Sequence, residues 1–245
     1  IDENTPIYYR TDARLSTYNA ASREGNADGV AMAFTRVLGG FSFLGPQGQV
    51  LEERASAQGI LAVPPDGFSA VFDALCAGWL QGDTLALMSG MVGSRQGWLE
   101  APYCECPAGF DEVACRLTWL RPGQLAIVPG LRCEHDGVPD VMRGEEIQIF
   151  GALSLAGLQD ATVVLPGTHS KWAQVQQGRV TTFRSFMTGE VYALLGQHSI
   201  LSRTLPADAP WHEATFSHAV RLAQHSPSVL SSIFATRTLA LFDTL

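Results

Sequence analysis

The most concentrated set of chemically suggestive residues is Gly167-Thr168-His169-Ser170-Lys171. Glycine lets backbone N–H groups approach an anion closely, and the two hydroxyls and the ammonium group add further donors. The run therefore predicts a phosphate-binding loop. A plain turn rich in Gly, Thr and Ser explains the same residues, and the run matches neither the GxxxxGK[ST] nor the GxGxxG nucleotide motif.

A second candidate group is the carboxylate pair in Arg143-Gly144-Glu145-Glu146, at a predicted helix start. A carboxylate there can accept the proton of a substrate hydroxyl, so Glu145 and Glu146 are the candidate catalytic residues. The alternative is structural, because the helix dipole favours acidic side chains in a first turn.

The third candidate group is Gly93-Ser94-Arg95-Gln96-Gly97-Trp98, which follows an apolar run. Its guanidinium, amide and indole groups suit a carboxylate or polyol substrate. A surface loop with a solvated arginine is the alternative. Arg95 and Arg143 are candidates for a substrate carboxylate. The candidate substrate-binding residues are Ser94, Arg95, Gln96, Trp98 and Arg143.

No metal ligands are predicted from the cysteines or histidines. The thiols of Cys104 and Cys106 are separated by one residue rather than two, and no second pair follows. The histidines lack HExxH spacing, and the adjacent His169 and Ser170 lack the GxSxG context of a hydrolase. All five cysteines are expected to be reduced thiols.

Short unbroken apolar runs lead into these polar groups. Residues 85–88, 125–128 and 163–165 each end near a glycine and have the pattern of strands covered on both faces. They favour an α/β sheet whose ligands bind at the strand ends.

Helices and hairpins are predicted between these runs. Helical spacing runs from Phe68, with Asp66 as its cap, and a second helix is predicted to start just after Arg143-Gly144-Glu145-Glu146. Turns at residues 45–48 and at Gly178 each join two strands, and Thr188 is predicted to cap a further helix.

Composition sets the class of protein. The 245 residues include 46% hydrophobic residues, enough for a large core, and 16 Lys and Arg against 24 Asp and Glu give a net charge of −8. This balance argues against a nucleic-acid partner, and no apolar run is long enough to span a bilayer. We expect a cytoplasmic protein with small-molecule partners, and a homodimer stays open.

Five blocks occur in order and together resemble the 2-dehydro-3-deoxygalactonokinase family over roughly residues 44 to 245. The blocks are Ser89-Gly90-Met91-Val92-Gly93-Ser94-Arg95-Gln96-Gly97-Trp98-Leu99-Glu100-Ala101-Pro102-Tyr103, Val128-Pro129-Gly130-Leu131, Val141-Met142-Arg143-Gly144-Glu145-Glu146, Pro166-Gly167-Thr168-His169-Ser170-Lys171-Trp172 and Phe186-Met187-Thr188-Gly189-Glu190.

The resemblance implies an α/β, two-lobed actin/hexokinase-like (ribonuclease H-like) sugar-kinase fold with ATP and Mg²⁺ in the cleft. It implies transfer of the γ-phosphoryl group to the 6-hydroxyl of 2-dehydro-3-deoxy-D-galactonate. By analogy Glu145 resembles the base, with Glu146 as its competitor. Residues Gly167, Thr168, His169 and Ser170 resemble the second phosphate loop, to which Lys171 adds charge.

The predicted organisation is a polar tail over 1–29, a substrate-binding lobe over 30–155 and a nucleotide phosphate-binding lobe over 156–245. Two departures from the family pattern stand out. Residues 31–37 lack the Asp-x-Gly-Thr-Thr type loop, with Asp28 the nearest acid, and Leu245 precedes the family's closing segment, so the second lobe is expected to be truncated. Open alternatives are a relative that binds the sugar acid without phosphoryl transfer, and a kinase for 2-dehydro-3-deoxygluconate.

Overall fold

A computed structural model describes residues 7–8, 29–34, 39–45, 49–56, 59–82, 84–203 and 210–242 of the chain. The strands are β1 (Ile7–Tyr8), β2 (Gly29–Phe34), β3 (Gly39–Leu44), β4 (Val50–Ser56), β5 (Leu85–Gly90), β6 (Cys104–Glu105), β7 (Thr118–Arg121), β8 (Leu125–Ile127), β9 (Leu131–His135), β10 (Val138–Met142), β11 (Ala161–Leu165), β12 (Ser170–Gln176) and β13 (Arg179–Phe186). The α-helices are α1 (Phe68–Leu75), α2 (Phe110–Ala114), α3 (Glu145–Ala156), α4 (Thr188–His198), α5 (Glu213–Gln224) and α6 (Val229–Leu241).

The chain forms two compact units, Ile1–Phe186 and Met187–Leu245. The first contains three sheets with strand orders β4-β3-β2-β5-β8-β7, β10-β9-β6 and β1-β11-β12-β13. Each sheet mixes parallel and antiparallel pairs, and helices lie between the strands in sequence, so the predicted α/β class is confirmed.

The three apolar runs are strands β5, β8 and β11, as predicted. β5 pairs in parallel with β2 on one side and β8 on the other, so it lies inside the six-stranded sheet. This position explains its unbroken apolar run, because a strand that has neighbours on both sides and is covered on both faces has little contact with water.

Two hydrophobic clusters support the first unit. One packs Phe68 and Phe72 of α1 against β5 and β8, and the other packs α3 against strands of the other two sheets. The second cluster contains Ile149 from α3 together with Val163 from β11 and Phe183 from β13. Residues on both sides of the predicted lobe junction at 155 and 156 therefore share one core, and the division into lobes stays a prediction.

Both predicted hairpins are confirmed. β3 pairs antiparallel with β4 around residues 45–49, and β12 pairs antiparallel with β13 around Gln177 and Gly178. Both of these turn residues have positive φ, 52° and 72°, as a tight hairpin turn requires.

Two predicted helix caps are wrong. At α1 the cap position is Gly67, not Asp66, and no side chain bonds to the helix start. At α4 the cap position is Met187, because β13 ends at Phe186 and leaves a single residue before Thr188 begins the helix.

The predicted tail over residues 1–29 includes structured backbone. Ile7–Tyr8 pair in parallel with Val163 and Val164 of β11, and Gly29 begins β2. Of the segment 31–37, which lacks an Asp-x-Gly-Thr-Thr type loop, residues 31–34 belong to β2, and residues 35–37 and Asp28 lie outside the described residues.

The second unit contains α4, a 3-10 turn over Ile200–Arg203, α5 and α6. The Ser228 hydroxyl caps α6 by accepting a hydrogen bond from the Ser231 N–H at 3.1 Å. None of the described helices in either unit combines the length and apolar character of a membrane-spanning segment.

Candidate active site

The start of α3 lies directly against the end of β5. Gly144, the residue before the helix, has φ of 105°, a conformation that side chains other than glycine rarely adopt. A Cβ atom added there would lie 3.1 Å from the Cα atom of Gly90, the last residue of β5. Glycine at this position therefore allows the carboxylate pair to begin the helix beside the strand end.

The two carboxylates of the pair have different environments. Glu146 is fully buried, and its two carboxylate oxygens accept hydrogen bonds from the Gly144 N–H at 2.7 and 2.9 Å. Burial, with a smaller contribution from the neighbouring Glu145, raises the pKa of Glu146 to about 8 against the lowering effect of backbone N–H groups and Arg143. Because its carboxyl group is enclosed, Glu146 offers a substrate no surface in this structure.

Glu145 is the accessible member of the pair. Its side chain is 27% exposed, and its Oε1 atom lies 3.5 Å from Nζ of Lys171. The other oxygen, Oε2, accepts a hydrogen bond from the Arg143 backbone N–H at 3.0 Å. The carboxylate is thus held from two sides while part of it stays open to solvent.

Arg143 is held in the same region by an aromatic ring and a carbonyl. Its guanidinium lies 4.2 Å from the ring centroid of Tyr103, and Nη2 donates to the Ala101 carbonyl at 2.7 Å. The Nε and Nη1 atoms are buried and have no hydrogen-bond partner. Since a buried polar group without a partner is unfavourable, these two nitrogens are candidates for a contact with an anion.

The loop after β5 carries the other predicted substrate residues. The Ser94 hydroxyl donates to the Met91 carbonyl at 2.7 Å, and the exposed Arg95 pairs with Glu100 at 3.0 Å. Gln96 is exposed, whereas Trp98 stacks on Phe68 of α1 with ring centroids 6.4 Å apart. Ser94 and Trp98 therefore hold the loop in place, while Arg95 and Gln96 lie on its exposed side.

The predicted phosphate loop joins β11 to β12. Gly167, Thr168 and His169 are exposed, while Ser170 and Lys171 are buried at the start of β12. The Gly167 N–H donates to the Ser170 hydroxyl at 3.2 Å, and Lys171 Nζ donates to the His169 carbonyl at 3.3 Å. The loop is thus anchored at its base and open at its tip.

The structure brings four of the five sequence blocks together. Gly144 approaches Gly90, Arg143 bonds to Ala101, and Glu145 meets Lys171. The block Val128-Pro129-Gly130-Leu131 joins them, because a Cβ added at Gly130 would lie 2.9 Å from the ring of Tyr103 in the first block. The fifth block lies in the second unit except for Phe186.

Two residues near the site were given no role from the sequence. Tyr103 supplies the ring under Arg143, and Gly93 makes room for the guanidinium, because an added Cβ there would lie 2.8 Å from Arg143 Nη1. Tyr103 could have been noticed in the sequence as an aromatic residue that ends the first of the five blocks. Nothing in the sequence indicates which side chain Gly93 would meet.

The arrangement combines a partly exposed carboxylate, an exposed Gly-Thr-His loop tip and a buried guanidinium with unpaired donors. A carboxylate at this position can accept a proton, and such a loop can bind an anion. Among the described residues no group of three His, Cys, Asp or Glu side chains could hold a metal ion. We therefore assign no protein ligand to Mg²⁺, which in nucleotide sites binds largely through phosphate and water.

Comparison with known proteins gives one consistent family. The family model described as 2-keto-3-deoxy-galactonokinase (DGOK) matches residues 41–245. A probable 2-dehydro-3-deoxygalactonokinase of Rhizobium meliloti (strain 1021) is 38% identical over 196 residues, which cover 78% of this chain and 64% of that protein. The 2-dehydro-3-deoxygalactonokinase of Escherichia coli (strain K12) is 36% identical over 195 residues, covering 80% and 65%.

A solved structure agrees with these relatives. The crystal structure of a 2-dehydro-3-deoxygalactonokinase-family protein from Sinorhizobium meliloti is 34% identical and superimposes with a TM-score of 0.79, covering 86% of this chain and 72% of that one. This chain spans slightly less than two thirds of the length of the two curated relatives. Because the family model matches most of this chain, the chain belongs to the 2-keto-3-deoxy-galactonokinase family.

Proposed function

We propose that the protein transfers the γ-phosphoryl group of ATP to the 6-hydroxyl of 2-dehydro-3-deoxy-D-galactonate, a step in galactonate breakdown. The observation that carries this proposal is Glu145, a partly exposed carboxylate at the start of α3 whose neighbour Lys171 also bonds to the exposed loop after β11. A proton acceptor beside an anion-binding loop is the arrangement that phosphoryl transfer to an alcohol needs.

In the proposed mechanism Glu145 accepts the proton of the 6-hydroxyl as the phosphoryl group transfers. Its partial exposure lets it reach a substrate, whereas the enclosed carboxyl group of Glu146 does not offer that reach. We therefore assign the base to Glu145 alone. Phosphoryl transfer depends mainly on alignment and charge stabilisation, so a base of ordinary strength is sufficient.

The exposed loop tip Gly167, Thr168 and His169 is the proposed contact for the nucleotide phosphates. Its glycine has no atom within 4 Å of an added Cβ, so a phosphate can approach the backbone closely there. Ser170 supports the loop from its base by accepting the Gly167 N–H. Mg²⁺ bound with ATP would neutralise the charge that develops on the transferred group.

Arg143 is the proposed partner of the substrate carboxylate. Its guanidinium is fixed between Tyr103 and the Ala101 carbonyl and retains two buried nitrogens without a partner. Arg95, in contrast, is mostly exposed and paired with Glu100, so it would have to leave that pair to bind substrate. Ser94, Gln96 and Trp98 stay proposed neighbours of the sugar acid.

The two-lobed actin/hexokinase-like organisation is part of the proposal, with lobes over 30–155 and 156–245. It is supported by family membership. Two antiparallel strand pairs, β2 with β3 and β11 with β12, are the elements on which such phosphate loops are proposed. One such loop is the proposed phosphate loop between β11 and β12.

The test is a coupled ADP-release assay with ATP, Mg²⁺ and a panel containing 2-dehydro-3-deoxy-D-galactonate and 2-dehydro-3-deoxygluconate, beside a no-sugar control. Turnover that depends on the first acid supports the proposal, and preference for the second assigns the related kinase activity. Calorimetric binding of the acid without ADP release would identify a relative that binds but does not phosphorylate, which the lost Asp-x-Gly-Thr-Thr loop favours. The absence of both turnover and binding would refute the proposed function.

A further inference from the structure

Lys171 is the only lysine in the 245 residues, and it is almost fully buried. With the described part of the chain its ammonium group makes two contacts: it lies 3.5 Å from Glu145 Oε1 and donates to the His169 carbonyl oxygen at 3.3 Å. A buried ammonium group is unfavourable unless it is paired and hydrogen-bonded, so these two contacts define its place in the fold.

The backbone around Lys171 fixes where its side chain begins. In the sheet Lys171 is opposite Leu165 of β11 on one side and Ser185 of β13 on the other. Because both neighbouring strands restrain it, the ammonium group reaches the start of α3 from a fixed origin. The contact therefore links a strand of one sheet to the helix that carries the candidate base.

We propose that Lys171 is a positioning residue that holds the Glu145 carboxylate at a fixed place relative to the loop ending at His169. It does so without contacting the nucleotide phosphates. This inference rests on the proposed function and gives Lys171 a different role from that implied by its place in the phosphate-loop sequence.

The burial of Lys171 supports positioning over phosphate contact. Its side chain is 6% exposed, and its ammonium group already pairs with Glu145 Oε1 and donates to the His169 carbonyl. Little of the group is left for a ligand. Fixing the carboxylate against the loop aligns the proton acceptor with the phosphoryl donor, and misplacement of a reacting group by about 1 Å can reduce the rate by about 100-fold.

The kinetic test compares Lys171→Met, Lys171→Arg, Glu145→Gln and the double variant Lys171→Met/Glu145→Gln. We expect Lys171→Met to lower kcat by about 10- to 100-fold while KM for ATP changes by less than about threefold. Lys171→Arg retains the charge and is expected to recover most of kcat. In the Glu145→Gln background the lysine substitution should cause little further loss, because its target carboxylate is absent.

Two kinetic outcomes overturn the proposal. A rise in KM for ATP with kcat unchanged would make Lys171 a phosphate contact. An equal loss of kcat in the presence and absence of the Glu145 carboxylate would show that the lysine acts independently of it. If Lys171→Met does not fold, Lys171→Gln serves for the same comparison.

A spectroscopic measurement separates this inference from the proposed function. Because the chain has one lysine, labelling with ¹⁵N- and ¹³C-lysine gives one set of side-chain NMR signals. Glu145→Gln should shift the signal of the Lys171 ε-methylene, whereas the surface variant Glu134→Gln should leave it unchanged. A signal unaffected by Glu145→Gln overturns the positioning role. The absence of sugar-dependent ADP release by wild-type protein overturns the proposed function instead, and the NMR result does not depend on that assay.

Discussion

Substitution of the buried carboxyl group of Glu146 by an amide should make the protein more stable at alkaline pH. Glu146 is fully buried with both oxygens near the Gly144 N–H, and burial raises its pKa to about 8 from the ordinary value of 4.5. Glu146→Gln keeps the shape and the carbonyl acceptor but cannot ionise. The variant therefore isolates the effect of the buried charge.

The sign follows from proton binding in the two states. Between about pH 4.5 and 8 the folded protein holds a proton that the unfolded chain releases, so the free energy of unfolding falls as pH rises through this window. Each pH unit corresponds to about 1.4 kcal/mol, which sets a ceiling of roughly 5 kcal/mol. Below about pH 4.5 both states are protonated and the stabilising contribution is fully present.

The assay is denaturant unfolding of wild type and Glu146→Gln from pH 5 to pH 9. We expect the difference in free energy of unfolding to move in favour of the variant by about 2 to 4 kcal/mol as pH rises to 9. Glu134→Gln, which removes an exposed carboxylate, is the control and should change stability by less than about 0.5 kcal/mol. If the difference in free energy of unfolding between wild type and Glu146→Gln does not vary with pH, burial does not raise the pKa of Glu146 in the folded protein.

Three further substitutions test the packing and binding roles around the site. Gly144→Ala should destabilise by about 2 kcal/mol or more, because it adds a close contact with the end of β5 to a positive φ, whereas Gly157→Ala has open space and should cost about 1 kcal/mol in the same denaturant assay. Trp98→Ala should lower the free energy of unfolding by about 3 kcal/mol through lost stacking on α1, and Trp98→Phe by less than half of that; equal losses would contradict a packing role. Arg143→Lys should raise KM for the sugar acid about tenfold, while Arg95→Lys should change it less than about twofold; the reverse order in a steady-state assay would make Arg95 the carboxylate contact.

The sequence predicted elements whose signal is local and periodic. The runs at 85–88, 125–128 and 163–165 lie in strands whose side chains are mostly buried. An unbroken apolar sequence is the local signal of such strands. The helix from Glu145 and the hairpin at Gly178 were likewise predictable from spacing and turn chemistry.

Tertiary contacts were not available from the same signals. Asp66 has the chemistry of a helix cap, but the chain places Gly67 at that position and no side chain fulfils the role. The pairing of Ile7–Tyr8 with β11 joins residues far apart in sequence within a stretch that reads as polar, so local pattern gives no indication of it.

The candidate site shows the same division. The family resemblance placed Glu145 before Glu146 as the base, but no residue pattern gave a physical reason for that order. Burial separates them, since Glu146 is enclosed and Glu145 is partly open. Spacing also could not show that Lys171 contacts Glu145, because that contact depends on the register of β12 against its neighbours.

Sugar-acid-dependent ADP release by wild type and Glu145→Gln, at saturating ATP and Mg²⁺, decides whether Glu145 is the base of a sugar-acid kinase. We expect turnover of 2-dehydro-3-deoxy-D-galactonate by wild type and a kcat about 100-fold or more lower in Glu145→Gln, with little change in KM for either substrate. Turnover in the variant at the wild-type rate, or ADP release that does not require the sugar acid, would contradict the assignment of Glu145 as the base of a sugar-acid kinase.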